Sequence, residues 1–243
     1  MFNKRKFFSA FAALVLIVAA VPAFAAGGAD KKSKQARRNI NGAPLNLAIL
    51  VQDDLVPRVG SEIDATREFI RALPAGSRVM VGYLTSGSLQ VRQEFTEDLE
   101  QAGRALRIPA GNEMSAPYNP YVEVIEALRR FEEGSKSRNA VLLISDGLDV
   151  SRGFDALSAI NSIDMQRAVR EAQRRNVAIY SFYAPSVGLT SYNRQATSYG
   201  QSALNRISND TGGRAFFQGT SFVTFNAYFE RLSRTLNGAD TAH

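Results

Sequence analysis

The stretch from Asn139 to Val150, NAVLLISDGLDV, constrains the fold more than any other part of the chain. Five apolar residues, Ala140 to Ile144, run without a polar break and stop at Ser145-Asp146-Gly147. An apolar run of strand length, ended by turn residues, is the pattern of a strand buried on both faces. Such a strand belongs to a parallel sheet between two helical layers, and its C-terminal end is where open α/β sheets bind ligands. Asp146 therefore stands at a candidate site, and Gly147 permits a sharp turn directly after it. Asp-Gly is also an ordinary turn pair, so the rest of the chain has to decide between the two readings.

The flanking sequence alternates between strand and helix patterns. Leu45 to Val51 (LNLAILV) reads as a strand ending at Gln52-Asp53-Asp54. Ser61 is placed to cap a helix through Ile63, Thr66, Phe69, Ile70 and Leu73, which Pro74-Ala75-Gly76 stops. Arg78 to Leu84 is a second strand, and Leu89 to Phe95 alternates like a half-exposed edge strand, with Thr85 to Ser88 as the hairpin turn. Thr96 is expected to cap a helix through Leu99, Ala102 and Leu106, and Pro109 to Pro120 to form an irregular loop. Tyr121, Val124, Ile125, Leu128 and Phe131 mark an amphipathic helix leading into the Asp146 strand.

Beyond that strand, Met165, Ala168, Val169 and Ala172 mark a helix, and Asn176 to Tyr183 a strand. Ala184 to Gly200 reads as a long polar loop, a length that in a compact domain usually serves function. A short helix around Leu204 and Ile207 ends at Thr211-Gly212-Gly213, Arg214 to Phe217 is a last strand, and Phe225, Phe229, Leu232 and Leu236 define a closing helix. The expected architecture is α/β: a three-layer, doubly wound, mostly parallel sheet with one antiparallel edge strand and helices on both faces.

The N-terminus carries the marks of an export signal. Lys4, Arg5 and Lys6 precede an apolar Phe7 to Val21, and Ala23-Phe24-Ala25 fits signal peptidase, with cleavage expected after Ala25. The apolar stretch approaches the ~20 residues of a membrane span, so an uncleaved anchor is the alternative. Residues 1–25 are thus read as a signal peptide, 26–41 as a flexible basic linker, 42–238 as one folded domain and 239–243 as a short tail. The protein is expected to be periplasmic or secreted. Without Cys it folds on its hydrophobic core alone.

The sequence pI near 9.7 would suggest a nucleic-acid partner if the charge lay on the domain. It does not. Of 29 Lys+Arg, three lie in the signal and five between Lys31 and Arg38, whereas of 23 Asp+Glu only Asp30 precedes residue 41, which leaves the domain nearly neutral. Several chemistries are also excluded. The one His is His243, Cys is absent, and no glycine-rich phosphate loop follows the first strand. What remains is oxygen-ligand chemistry. If the Leu45 and Ala140 strands are neighbours, Asp53 or Asp54 meets Asp146, and clustered carboxylates suit a hard cation such as Mg²⁺ or Ca²⁺.

The strand ending in acids at Leu45 to Asp54, the Leu73 to Val79 stretch LPAGSRV, Leu142 to Asp149 (LLISDGLD) and Ile207 to Phe217 (ISNDTGGRAFF) together resemble the von Willebrand factor type A domain, over roughly residues 45–236. In particular they resemble its exported bacterial relatives. The resemblance implies a divalent cation at the top of the sheet, held by Asp-x-Ser-x-Ser after the first strand, a Thr from a later loop and an Asp after the fourth strand. Asp146 matches the last of these. Gln52, Asp54 and Val56 stand in the Asp, Ser and Ser places, or in the shifted register Asp53, Leu55 and Pro57. No Thr occurs near Tyr118 and Asn119, where one is expected. The metal site implied by the resemblance is thus degenerate, with Asp146, Asp54 and Asp53 as its candidate ligands.

The function expected from these residues is a non-enzymatic exported module that binds a protein partner through the loops at the sheet's C-terminal edge. Those loops are Val56 to Gly60, Gly111 to Pro120 and Ala184 to Gly200, with Tyr118, Asn119 and Tyr192, and also Tyr121, Tyr183 and Tyr199, as contact candidates. No nucleic acid is expected, and membrane contact only through an uncleaved signal segment. The competing expectations are a divalent-cation-dependent adhesion domain using Asp146 with Asp53 and Asp54, and more remotely an envelope hydrolase.

Overall fold

A computed structural model describes residues 44–133, 138–154, 162–217 and 224–236. The sheet is built from β1 (Leu45–Gln52), β2 (Arg78–Thr85), β3 (Ser88–Thr96), β4 (Arg138–Ser145), β5 (Val177–Tyr183) and β6 (Ala215–Phe216), in the spatial order β3-β2-β1-β4-β5-β6. All neighbouring pairs are parallel except β2 and β3, which the Thr85 to Ser88 turn joins as an antiparallel hairpin. The order reverses at β1, so the C-terminal ends of β1 and β4 flank the crevice where such sheets receive ligands.

Alternation along the central strands feeds two cores. Leu47, Ile49 and Val51 of β1, with Val79, Val81, Leu142, Ile144 and Phe182, face α1 (Ile63–Arg71), α2 (Leu99–Ala105) and α6 (Phe225–Leu236). Ala48 and Leu50, with Met80, Leu84, Val141, Leu143 and Ile179, face α3 (Pro120–Leu128), α4 (Ile163–Arg174) and α5 (Arg194–Asp210). Because side chains point alternately to the two faces, only a continuous apolar run supplies both cores, and this is why β1 and β4 read as they do.

Three local expectations are corrected. Ser61 does not cap α1: Pro57, whose fixed φ suits a first helical position, starts a 3-10 turn (Pro57–Glu62), and the Ser61 hydroxyl donates to Arg58 O inside it. Thr96 belongs to β3, and α2 is capped by Asp98, whose carboxylate accepts from Gln101 N–H at 2.8 Å. Ala184 to Gly200 is not one loop. Asn193, whose side chain accepts from Gln195 N–H and Ala196 N–H, starts α5 at Arg194. The first two turns of α5 bury Ala196, Thr197 and Gly200, small residues that leave no periodic apolar signal in the sequence. The expected last strand, Arg214 to Phe217, pairs only through Ala215 and Phe216.

Ala25, the basic linker, both outer domain boundaries and the C-terminal tail lie outside the described residues. Among the described residues, no helix is long and apolar enough to cross a membrane.

Candidate functional site

The parallel register of β1 and β4, which pairs Val51 with Ile144, sets Gln52 beside Ser145. One side-chain amide joins the two strand ends. Gln52 Oε1 accepts from the Ser145 hydroxyl and, at 3.1 Å, from Asp146 N–H, while its Nε2 donates to Asp54 Oδ1 at 2.7 Å. Asp146 Oδ1 accepts from Leu148 N–H and Oδ2 from the Thr190 hydroxyl, each at 3.1 Å. With its own hydrogen directed at Asp146, Thr190 Oγ1 accepts from Ser186 N–H at 2.9 Å and from the Ser186 hydroxyl at 3.0 Å. Ser186 and Thr190 come from the segment after β5, so three strand ends converge on one carboxylate.

The turn at Asp146 is held tightly. Gly147 has φ +73°, the left-handed conformation that favours glycine, and the buried Tyr121 hydroxyl donates to its carbonyl at 2.7 Å. The α5 backbone lies directly on this turn, so close that a Cβ at Gly200 would fall 2.0 Å from Asp146 O.

Asp53 is committed elsewhere. Arg107, arriving from the segment after α2, donates to Asp53 Oδ1 at 2.6 Å and to Oδ2 at 2.9 Å, and Ala110 N–H adds a third bond at 2.9 Å. Arg107 also lies over the Tyr83 ring, 4.1 Å from its centroid. Of the three candidate acids, the structure therefore brings Asp54 and Asp146 together and pairs Asp53 with an arginine.

Asp54 and Asp146 are both buried, and neither forms an ion pair among the described residues. Burial, reinforced by the neighbouring Asp146 charge, pushes the Asp54 carboxyl up to about 7. Burial also pushes Asp146 up, against hydrogen bonds from Leu148 N–H and nearby side chains. Both line a cavity of about 260 Å³ whose walls also include Glu113, Tyr118, Leu148 and Leu189.

The residues present do not fit the divalent cation that the type A resemblance implies. The first ligand place presents the Gln52 amide, whose N–H group points at Asp54 and offers a cation no lone pair. Val56 has no oxygen in its side chain, and Asp53 is held by Arg107. The described residues contain no group of three or more His, Cys, Asp or Glu able to hold a metal. Thr190 does supply a hydroxyl on Asp146, but from the β5 segment instead of the Tyr118 loop.

The tyrosines divide sharply. Tyr118 and Tyr192 are 63 % and 74 % exposed, whereas Tyr121 and Tyr183 are buried and Tyr199 is half-buried against Phe154. Asn119 caps α3 by accepting from Tyr121 N–H at 3.2 Å, and its Nδ2 donates to Asp164 at 2.9 Å. Sequence reasoning missed Thr190, Ser186, Arg107 and exposed Met114. The first two sit in a polar stretch where nothing local distinguishes them, and Arg107 is one arginine among many.

No family model matches the sequence, and no curated protein matches it. Solved structures do. An aerotolerance-related membrane protein of Bacteroides fragilis is similar at 11 % identity and TM-score 0.52, over 81 % of this chain and 100 % of its own. The protein BatB of Bacteroides thetaiotaomicron is similar at 12 % identity and TM-score 0.52, over 83 % of this chain and 100 % of its own. The SpRpn10 VWA domain aligns over 79 % of this chain and 95 % of its own, at 15 % identity and TM-score 0.44. With its six-stranded sheet, single antiparallel edge strand and helices on both faces, the chain has the von Willebrand factor A-like fold.

Proposed function

We propose that the protein is an exported, non-enzymatic binding module that holds a protein partner through the loops at the C-terminal edge of its sheet, without a resident metal. The observation that carries this is the placement of large exposed apolar side chains. Met114, Tyr118 and Tyr192 are 89 %, 63 % and 74 % exposed. Tyr118 lines the Asp54–Asp146 cavity, and Met114 and Tyr192 follow closely on Glu113 and Leu189, which line it too. Exposed Tyr and Met on the segments that line one concavity are the composition of an interface centre. Export is inferred from the basic, apolar and Ala-x-Ala pattern of residues 4–25.

A photo-crosslinking residue placed at Tyr118 or Tyr192 in cells should yield one discrete adduct, common to both positions. The same residue at exposed Glu132, beyond the opposite end of the sheet, should yield none. Adducts of equal intensity from all three positions would remove the edge-specific reading. Cation dependence, the competing reading, is checked by melting the protein in chelator and then in excess Mg²⁺, Mn²⁺ or Ca²⁺, since a ligand of the native state raises Tm by mass action. No shift is expected. A rise of several degrees that disappears in Asp146→Ala would put cation-dependent adhesion first.

A further inference from the structure

The cavity beside Asp54 and Asp146 has a chemical character of its own. Among the described residues, three acidic side chains line it, Asp54, Asp146 and Glu113, together with Leu148, Leu189 and Tyr118, and no Lys or Arg does. Arg107, which the same edge of the sheet carries, is committed to Asp53. Asp54 is only 4 % exposed, and besides its own backbone N–H its carboxyl accepts one hydrogen bond among the described residues, from Gln52 to Oδ1, which leaves lone pairs open. A nearly buried carboxylate with an open acceptor on a cavity wall lacks a donor, preferably a charged one.

We propose that this cavity receives a lysine side chain from the partner protein, with the ε-ammonium at Asp54 and Asp146 and the methylene stem along Leu148 and Leu189. The proposal rests on the binding function above and names the chemistry that the partner brings. It also follows from the misfit to a divalent cation. Replacing an oxygen ligand by the Gln52 amide removes a cation ligand but leaves two buried acids on the cavity wall with no cationic side chain beside them among the described residues. A protonated amine supplies that charge and brings its own hydrogen-bond donors.

Lysine suits the site better than arginine. A guanidinium is matched by a carboxylate that offers both oxygens side by side, and neither acid does so. Asp54 has spent one oxygen on Gln52, and Asp146 has one on Leu148 N–H and one on Thr190. A compact ammonium needs only single open lone pairs, and its four-carbon stem is apolar like Leu148 and Leu189. A partner glutamate or aspartate, by contrast, would meet like charge with no ion between.

The test uses the full chain and two probes, Nα-acetyl-lysine N-methylamide and its norleucine analogue, which has the same stem and no ammonium. The lysine probe should shift the amide resonances of Gly188, Leu189 and Leu148 saturably, and the norleucine probe should bind at least about tenfold more weakly, as a charge-assisted bond requires. Asp54→Asn retains the acceptor for Gln52 and should weaken the lysine probe by a similar factor, whereas Asp64→Asn on exposed α1 should leave it unchanged. Equal binding of the two probes, no saturable shift with the lysine probe, or its displacement by Mn²⁺ at these resonances would each overturn the proposal. The probe comparison decides even if Asp54→Asn fails to fold. Persistent crosslinks at Tyr118 and Tyr192 alongside a failed probe would overturn the lysine proposal alone; loss of both would remove the binding function as well.

Discussion

Glu123 sits in the first turn of α3, buried, and its Oε2 has no hydrogen-bond partner among the described residues. Burial pushes its carboxyl from the ordinary 4.5 up to about 7. A carboxyl whose folded-state pKa lies above its unfolded value keeps a proton that the unfolded chain has already released. Its contribution to stability is therefore full below about 4.5 and declines as pH rises towards 7. Replacing it with an unbranched apolar side chain, Glu123→Met, should raise Tm at pH 8 by the equivalent of about 1–3 kcal/mol and change little near pH 4. Thermal melts of both proteins across that range measure it; parallel curves would show that Glu123 is not the group responsible. Asp53, also buried, leaves no such orphaned oxygen, since Arg107 and Ala110 N–H occupy both.

At the scale of elements, α5 is the piece whose position makes the site. Its second turn packs backbone against the Asp146–Gly147 turn, and only the missing side chain of Gly200 permits that approach. The Thr197 hydroxyl donates to Thr190 O at 3.1 Å, so the same helix also steadies the residue that bonds Asp146. Gly200→Ala would set a Cβ 2.0 Å from Asp146 O, a clash with backbone that no rotamer relieves. It should cost about 3 kcal/mol or more, read as a large fall in urea midpoint. A stability near that of the parent would mean that α5 stands further from the turn. The C-terminal half of the helix was read around Leu204 and Ile207, but its first two turns escaped the sequence reading because they are Arg-Gln-Ala-Thr-Ser-Tyr-Gly, in which small buried residues replace the apolar repeat. The amphipathic helices α3 and α6 were legible for the converse reason: Val124 and Leu128, and Phe225, Phe229 and Leu232, recur at helical spacing and are all buried.

The whole molecule depends on a sheet with both faces covered. On one face, Phe182 of β5 meets four aromatic rings: Phe216 at 5.5 Å, Phe225 at 5.4 Å, Tyr228 at 5.1 Å and Phe229 at 5.0 Å. Glu62 ties the same helix from the far side of the chain, its carboxylate accepting from Phe225 N–H at 2.7 Å. Phe182→Ala should cost about 3–5 kcal/mol through the cavity it leaves, and unfolding should remain a single transition because the aromatic cluster belongs to the common core. An early separate loss of α6 signal would show that this helix folds independently of the sheet.

Sequence alone determined the layered architecture, because apolar runs at β1 and β4 and helical repeats between strands leave few other ways to bury that surface. It also determined that Asp146 stands at a strand end, since the apolar run stops there. Only the tertiary structure decided which acids meet. Asp53 and Asp54 are consecutive and locally indistinguishable, yet one is paired with Arg107, 54 residues away, and the other faces Asp146 across the strand ends. Partners so distant in the chain leave no periodicity for a local pattern to reveal; they are set when packing closes the sheet between its two helical layers.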